Sequence, residues 1–306
     1  MADAAPVDIA ALEAGILTRD RRLLAQAITL VESTKPDHRR MSDQMINSLL
    51  PATGKSIRLA ITGTPGVGKS TLIEALGLNL IDEGHKVAVL TIDPSSNRGG
   101  GAILGDKTRM QQLSKNSDAF IRATPSGGQL GGVSRNTREA IMLCEAAGHD
   151  VVIVETVGVG QSEISAREMV DMLLLLVQPG SGDELQGIKR GVVEIADLLI
   201  VNKADGKLLP EANKTQTDYK NALALARPLH ENWTTPVLTC SALLNIAVAD
   251  IWHSIRNYHQ ITVDDGSFME RRRQQSISWM WSAIMGEISH QLHSNPEISD
   301  FQKIFL

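Results

Sequence analysis

The sequence predicts an α/β protein built on a mostly parallel sheet flanked by helices, and three observations carry that expectation. Short, near-continuous apolar runs alternate with amphipathic segments from Ile57 to Tyr258, the pattern of strands buried on both faces between helices. A glycine-rich loop lies between the first of these runs and the helix-compatible segment after it. Both ends of the chain instead carry apolar residues at helical spacing.

Taken in order, the chain opens with helices. Ile9, Leu12 and Ile16 recur at helical spacing, as do Leu24, Ala27, Ile28 and Val31, and Pro36 and Pro51 punctuate the segment. Residues 1–55 are therefore expected to be a helical segment outside the sheet, with Arg19, Arg21 and Arg22 on a solvated face. Residues 56–262 form the α/β domain. Its strands are expected at Ile57–Thr62, Val87–Ile92, Ala119–Ala123, Val151–Glu155, Leu173–Gln178, Leu198–Asn202 and Pro236–Cys240. Helices are expected at Thr71–Glu83, Lys107–Ser114, Ser134–Ala147, Glu184–Ile195, Glu211–Ala226 and Ala249–Tyr258. Residues 263–306 form a helical arm, with Ile277, Trp281, Ile284, Ile288 and Leu292 on one side and Trp279, Met280 and Met285 broadening it. A face this apolar needs a cover, and pairing with a second copy of the chain is the favoured one. The Arg271–Arg273 run reads as a solvated face rather than an anion site.

Composition narrows the function. The 306 residues carry a net charge of −5, which argues against nucleic acid as the main partner. Cys144 and Cys240 lie far apart in apolar surroundings and read as core residues of a protein in a reducing compartment. The eight histidines are scattered, so no zinc site is expected. The first residues resemble neither a signal nor a transit peptide. The run Met172–Val177 is too short to span a bilayer. A cytoplasmic protein without a membrane partner is the expectation.

The loop Gly63-Thr64-Pro65-Gly66-Val67-Gly68-Lys69-Ser70, followed by Thr71, matches G-x-x-x-x-G-K-[ST] in a strand–loop–helix context, the signature of a P-loop. Glycines let backbone N–H groups curl around a polyphosphate, and the helix N-terminus favours the anion. Lys69 is placed for the β- and γ-phosphates and Ser70 for Mg²⁺. Asn202-Lys203-Ala204-Asp205 follows an apolar strand and matches N-K-x-D. A carboxylate at Asp205 accepts from guanine N1–H and its exocyclic amine, a donor pair adenine lacks, so GTP and GDP are the expected nucleotides. Asn202 is expected to tie the loop together, and the Lys203 stem to lie over the base. Ser241-Ala242-Leu243 follows the last strand, where a backbone N–H can meet guanine O6.

Three acids compete for places around Mg²⁺: Asp93 and Glu155 at strand ends, and Asp106 just before a helix, where it can equally serve as an N-cap. Mg²⁺ takes one or two carboxylates, so some of the three belong outside the direct ligand set or take turns. Gly158 and Gly160 make a loop suited to switching, and Gln161 is a candidate to orient the attacking water. A second glycine-rich, charged segment runs from Gln178 to Arg190.

With these motifs in hand, the chain resembles the MeaB/ArgK family of P-loop GTPases, called methylmalonic aciduria type A proteins in animals. The resemblance rests on G-T-P-G-V-G-K-S-T (63–71), T-I-D-P-S-S (91–96), G-G-A-I-L-G-D-K-T-R-M (100–110), E-T-V-G-V-G-Q-S-E (155–163), Q-P-G-S-G-D-E-L-Q-G-I-K-R-G (178–191) and V-N-K-A-D-G (201–206). It extends to A-I-T-L-V-E-S (27–33) and to Trp279 and Trp281. The resemblance implies a P-loop NTPase of the SIMIBI type and a homodimeric GTPase joined through the C-terminal arm. It further implies a chaperone of an adenosylcobalamin-dependent acyl-CoA mutase, usually methylmalonyl-CoA mutase, that gates cofactor loading and protects the mutase. By the same resemblance Gln178–Arg190 matches a partner-responsive switch, Lys189 its activating lysine, and Asp93, Asp106 and Glu155 the metal and switch acids. Two stretches depart from the family pattern. Ser96-Asn97-Arg98-Gly99 replaces a phenylalanine-containing stretch, and Leu244-Asn245-Ile246-Ala247 lacks a glycine-rich turn. The rival readings are a nickel-maturation type of metal-insertion GTPase, which should carry His/Cys ligands, and a transport-linked kinase, which needs an acceptor pocket.

Overall fold

The computed structural model describes residues 8–93, 110–125, 132–156, 162–181, 190–226 and 228–294. Seven strands make one parallel sheet: β1 (Ile57–Gly63), β2 (Val87–Asp93), β3 (Ala119–Pro125), β4 (Val151–Glu155), β5 (Met172–Val177), β6 (Leu198–Val201) and β7 (Val237–Thr239). Their order is β3-β2-β4-β1-β5-β6-β7. All seven expected strands are present. From β1 the chain crosses toward the β3 edge to reach β2, whereas from β4 it crosses back past β1 to β5 and on toward β7, and this reversal opens a crevice at the carboxyl end of β1, where ligands bind in such sheets.

The helices in chain order are α1 (Ile9–Leu17), α2 (Arg21–Val31), α3 (Pro36–Leu49), α4 (Lys69–Asp82), α5 (Gln111–Lys115) and α6 (Gly132–Ala146). They continue as α7 (Ser162–Arg167), α8 (Arg190–Ile195), α9 (Leu209–Ala224), α10 (Val248–Asp264) and α11 (Ser267–Ser294). Local chemistry sets the boundaries. Asp8 caps α1 by accepting from Ala11 N at 3.1 Å, and Asp20 caps α2 by accepting from Arg22 N and Leu23 N at 2.8 and 3.0 Å. Pro36 and Pro210 sit at first-turn positions, where a missing N–H costs nothing. α4 begins two residues before the expected Thr71, because the P-loop itself turns into the helix. Short α7 was not expected; six residues give too little periodicity to read.

Each sheet face carries its own core. On one face α1, α2, α3 and α6 bury Ile16, Leu24, Ile28 and Met45 together with Ala60, Leu90, Val152 and Val154. On the other, α4, α5 and α10 bury Leu72, Leu76, Leu113 and Trp252 with Leu59, Ile61, Val89 and Ile153. The first three helices thus share one apolar cluster with the strands. A smaller cluster joins β5, β6 and β7 to α8 and α9. Both cysteines are free and buried, and burial pushes the Cys240 thiol up to about 12.

The Arg271–Arg273 run corrects the sequence reading. Arg272 is almost covered and grips Asp171 with two hydrogen bonds, at 2.8 and 2.7 Å, while donating to Gly54 O and Ser56 O at 2.7 and 2.6 Å. Its guanidinium also lies over the Phe268 ring at 4.5 Å. Arg271 donates to the Tyr258 hydroxyl at 2.9 Å, and only Arg273 keeps to an exposed pair with Glu270. The network continues inward, for Asp171 also accepts from Arg58 N at 2.8 Å and Arg58 forks onto Glu145 with two 2.8 Å bonds. Glu145 takes Ser56 Oγ at 2.5 Å and Gly54 N at 2.8 Å as well. A local charge run reads as solvated because its partners lie roughly a hundred residues away, beyond any periodicity.

Burial opposes ionisation of Glu145, but the Arg58 pair, Ser56 and the Gly54 N–H outweigh it and hold the carboxyl below its ordinary value. Stability from this group is therefore fully present above the unfolded carboxylate pKa and is lost as pH falls through the depressed folded one. Glu145→Gln should cost about 3 kcal/mol at neutral pH. Denaturant titrations repeated at falling pH should show the wild-type–variant gap closing below the ordinary carboxylate range.

Candidate nucleotide site

The carboxyl ends of β1, β4 and β6 bring the sequence-picked residues together. Gly63 closes β1 at φ 150°, and a Cβ there would meet Leu176 O at 2.4 Å, so only glycine fits against β5. Gly68 precedes α4 in the left-handed region at φ 98° and supplies no side-chain cap, so the first N–H groups of α4 remain available to an anion. Between them Thr64, Pro65, Gly66 and Val67 form the loop, closed by Val67 N donating to Thr64 O at 3.2 Å. Lys69 folds back over it, its Nζ donating to Gly63 O at 2.9 Å and Thr64 O at 3.3 Å. A lysine so placed presents its ammonium to whatever the loop encloses.

Ser70 and Thr71 open α4. The Ser70 hydroxyl donates to Glu155 Oε1 at 2.9 Å, bringing a P-loop side chain and a strand-end acid onto one spot. The register explains it: Ile61 of β1 pairs with Glu155 of β4, so Glu155 stands level with the start of the loop. Two oxygen donors at this separation are the hard-ligand chemistry that suits Mg²⁺. Asp93 ends β2, two residues beyond Thr91, which pairs with Glu155. Asp106, Gln161, Lys189, the glycines at 158 and 160 and the stretch 96–99 lie outside the described residues. Of the segment from Gln178 to Arg190, the first four residues and Arg190, which opens α8, are described: Gly180 N donates to Thr215 Oγ1 on α9 at 3.0 Å, and Ser181 Oγ donates to Gln178 O at 2.7 Å.

The N-K-x-D loop is held by one buried amide. Asn202 Nδ2 donates to Val67 O at 2.9 Å, and its Oδ1 accepts from Ala242 N at 3.0 Å and the Cys240 thiol at 3.5 Å. Lys203, at φ 61°, donates to Gly66 O at 2.7 Å. Asp205 accepts from the Ser241 hydroxyl, which in turn accepts from Leu244 N at 3.3 Å. Leu243 is 80% exposed beside them. The glycine-free stretch after it still makes its turn: Asn245 and Ala247 take positive φ, 52° and 57°, and Asn245 exchanges two hydrogen bonds with Asn79 of α4 at 3.0 and 3.1 Å. This cross-tie escaped the sequence reading, although asparagine tolerates the left-handed region better than most residues. Among the described residues no cluster of three or more His, Cys, Asp or Glu side chains is placed to hold a metal, and no helix is long and apolar enough to cross a membrane.

Residues 24–297 match the family model described as methylmalonyl Co-A mutase-associated GTPase MeaB. The chain belongs to the MeaB family. It is a P-loop GTPase. A putative GTPase of Caulobacter vibrioides is 50% identical over 96% of this chain and 90% of its own length. The GTPase ArgK of Escherichia coli is 46% identical over 93% of this chain and 86% of its own. A mitochondrial methylmalonic aciduria type A homolog of mouse is 42% identical over 94% and 72%. Among solved structures, one described as a LAO/AO transport system kinase superposes with a TM-score of 0.80 at 38% identity, covering 98% of this chain and 91% of that one.

Because Asn202 joins the P-loop to both base-side loops, Asn202→Ala should strand Val67 O and Ala242 N. It should cost about 2 kcal/mol of stability and weaken guanine nucleotide binding by about tenfold or more. Denaturation and nucleotide titration on the same preparation check both expectations.

Proposed function

We propose that this GTPase couples its nucleotide state to an adenosylcobalamin-dependent acyl-CoA mutase, methylmalonyl-CoA mutase or a close relative, gating cofactor loading and protecting the enzyme. The observation that carries this reading is the match to the mutase-associated MeaB model over residues 24–297, with the P-loop, N-K-x-D and Ser-Ala-Leu elements converging at one sheet end. The name borne by the mouse relative points the same way.

In the mechanism we infer, the P-loop N–H groups and the α4 N-terminus cradle the phosphates, and Lys69 shifts from its two loop carbonyls to the β- and γ-oxygens. Asp205 selects guanine, steered by Ser241, with Asn202 fixing the distance between base and phosphate subsites. Ser70 with one or two of Glu155, Asp93 and Asp106 at a time would hold Mg²⁺, which when bound neutralises developing phosphate charge. Gln161 orients water. Lys189 acts when the partner engages the 178–190 segment. We further infer a cytoplasmic homodimer paired through the exposed face of α11, with residues 1–55, 56–262 and 263–306 as helical segment, GTPase domain and arm.

GTP turnover should rise by about tenfold or more when a candidate mutase is added, a modest gain beside what a partner-supplied cation brings to a GTPase site. Co-purification with the mutase should also differ between GDP and a non-hydrolysable GTP analogue. If neither quantity moves with any of the adenosylcobalamin-dependent mutases, the chaperone reading fails. Separately, Asp205→Ala should weaken GTP binding by about tenfold or more while leaving weak ATP binding unaltered. Equal affinity of the wild type for ATP and GTP would refute the role given to Asp205.

A further inference from the structure

The loop that follows β7 has no apolar seat. Leu243 and Leu244 are 80% and 57% exposed, so burial does not fix the path of the chain between Ala242 and Asn245. Backbone bonds close its two ends on each other: Ser241 N donates to Ile246 O at 3.1 Å, and Ile246 N donates to Ser241 O at 3.0 Å. The Ser241 hydroxyl, inside this closure, donates to Asp205 and accepts from Leu244 N at 3.3 Å. A shift of the loop therefore turns the Asp205 carboxylate with it.

The last residue of the loop is held by a pair of side-chain amides. Asn79 Nδ2 donates to Asn245 Oδ1 at 3.1 Å, and Asn245 Nδ2 donates to Asn79 Oδ1 at 3.0 Å. The Asn245 backbone is left-handed, at φ 52°, a conformation asparagine adopts more readily than most residues with a side chain. Glycine would turn the chain equally well but has no amide to offer. Asn79 lies ten residues beyond Lys69 on α4, about 15 Å along the helix, and the N-terminus of that helix faces the phosphate subsite. The loop leads into α10, which packs beside α4, with Val248 and Trp252 in one cluster with Leu76 and Leu80. The pair thus sets the loop against the rigid element that carries the P-loop, separately from the Asn202 bond to Ala242 N at the loop's other end.

We propose that Asn79 and Asn245 are positioning residues for guanine selectivity, their amide pair holding the Ser241–Ile246 turn where Ser241 presents the Asp205 carboxylate to the base. Both act through Ser241 and Asp205 rather than by touching the nucleotide. This role rests on the reading of Asp205 as the guanine acceptor and is independent of the mutase reading.

The test is isothermal titration of the full chain with GDP and with IDP, whose base lacks the exocyclic amine. The wild type should prefer GDP. Asn79→Ala and Asn245→Gly each remove the pair by gentle changes, since alanine is the better helix former and glycine keeps the left-handed turn. Thermal midpoints should therefore stay close to that of the wild type. Each variant should bind GDP about three- to tenfold more weakly, and IDP, which offers Asp205 only the N1–H, about twofold more weakly or less. The double variant should lose no more than either single one, as expected of two residues acting as a unit. A contact that only stabilised the fold would leave the preference between the two bases unmoved. The proposal is overturned if GDP and IDP weaken in parallel, or if the two single losses add. A wild type that binds IDP as tightly as GDP overturns the reading of Asp205 itself; a GDP-selective wild type with equally selective folded variants overturns the role of the pair alone.

Discussion

One buried side-chain amide sets the geometry on which the nucleotide site depends. Asn202 uses its donor on the P-loop carbonyl of Val67 and its acceptor on the backbone of Ala242. The proposed phosphate and base subsites lie on loops more than a hundred residues apart, and recognition of a nucleotide needs them at a fixed separation. Backbone pairing alone brings β6 only to the edge of β5. The amide spans the remaining gap, and because it is buried its bonds face no competition from water. Lys203 and Gly66 repeat the tie at the surface, so base and phosphate loops move as one piece.

What the sequence made legible was whatever repeats or sits in a short motif. All seven strands were readable because each is a compact, largely apolar run, β4, β5 and β6 being buried along their whole length. The P-loop and N-K-x-D were readable because their chemistry is carried by neighbours in the chain. Most helix starts slipped by a residue or two, as at Lys69, where loop and helix share the same glycine, but α5 begins at Gln111, four residues past the expected Lys107. The Arg272 grip on Asp171 was not legible, since a triplet of arginines looks the same whether its partners are water or a carboxylate a hundred residues upstream. Nor was the participation of α1–α3 in the sheet's own core, because an amphipathic helix announces that it must be covered, not by what.

The two ends of the sheet have opposite electrostatic characters. At the carboxyl end, the P-loop and the N-terminus of α4 present backbone N–H groups toward a ligand. At the amino end, Arg58, Glu145, Asp171 and Arg272 satisfy one another and weld the 54–56 connection to the arm helix. A buried set of this kind contributes little net stability against an apolar replacement, but removing one member is costly. Its effect is to fix where α11 leaves the body.

That fixed departure makes α11 mechanical as well as adhesive. Arg272 and Gln275 bind the helix to the sheet end, and Trp279 packs on the core with Arg138 over its ring at 5.5 Å. Beyond it Met280, Trp281, Ile284, Met285 and Ile288 are all exposed. The fifteen residues from Met280 to Ser294 extend about 22 Å past Trp279. A tilt of about 10° at Trp279 would carry the far end of the helix through roughly 4 Å. Sub-ångström adjustments of β1 and β5, the strands that flank both the P-loop and the Arg272 weld, would thus be magnified into displacements large enough to re-register a helical interface.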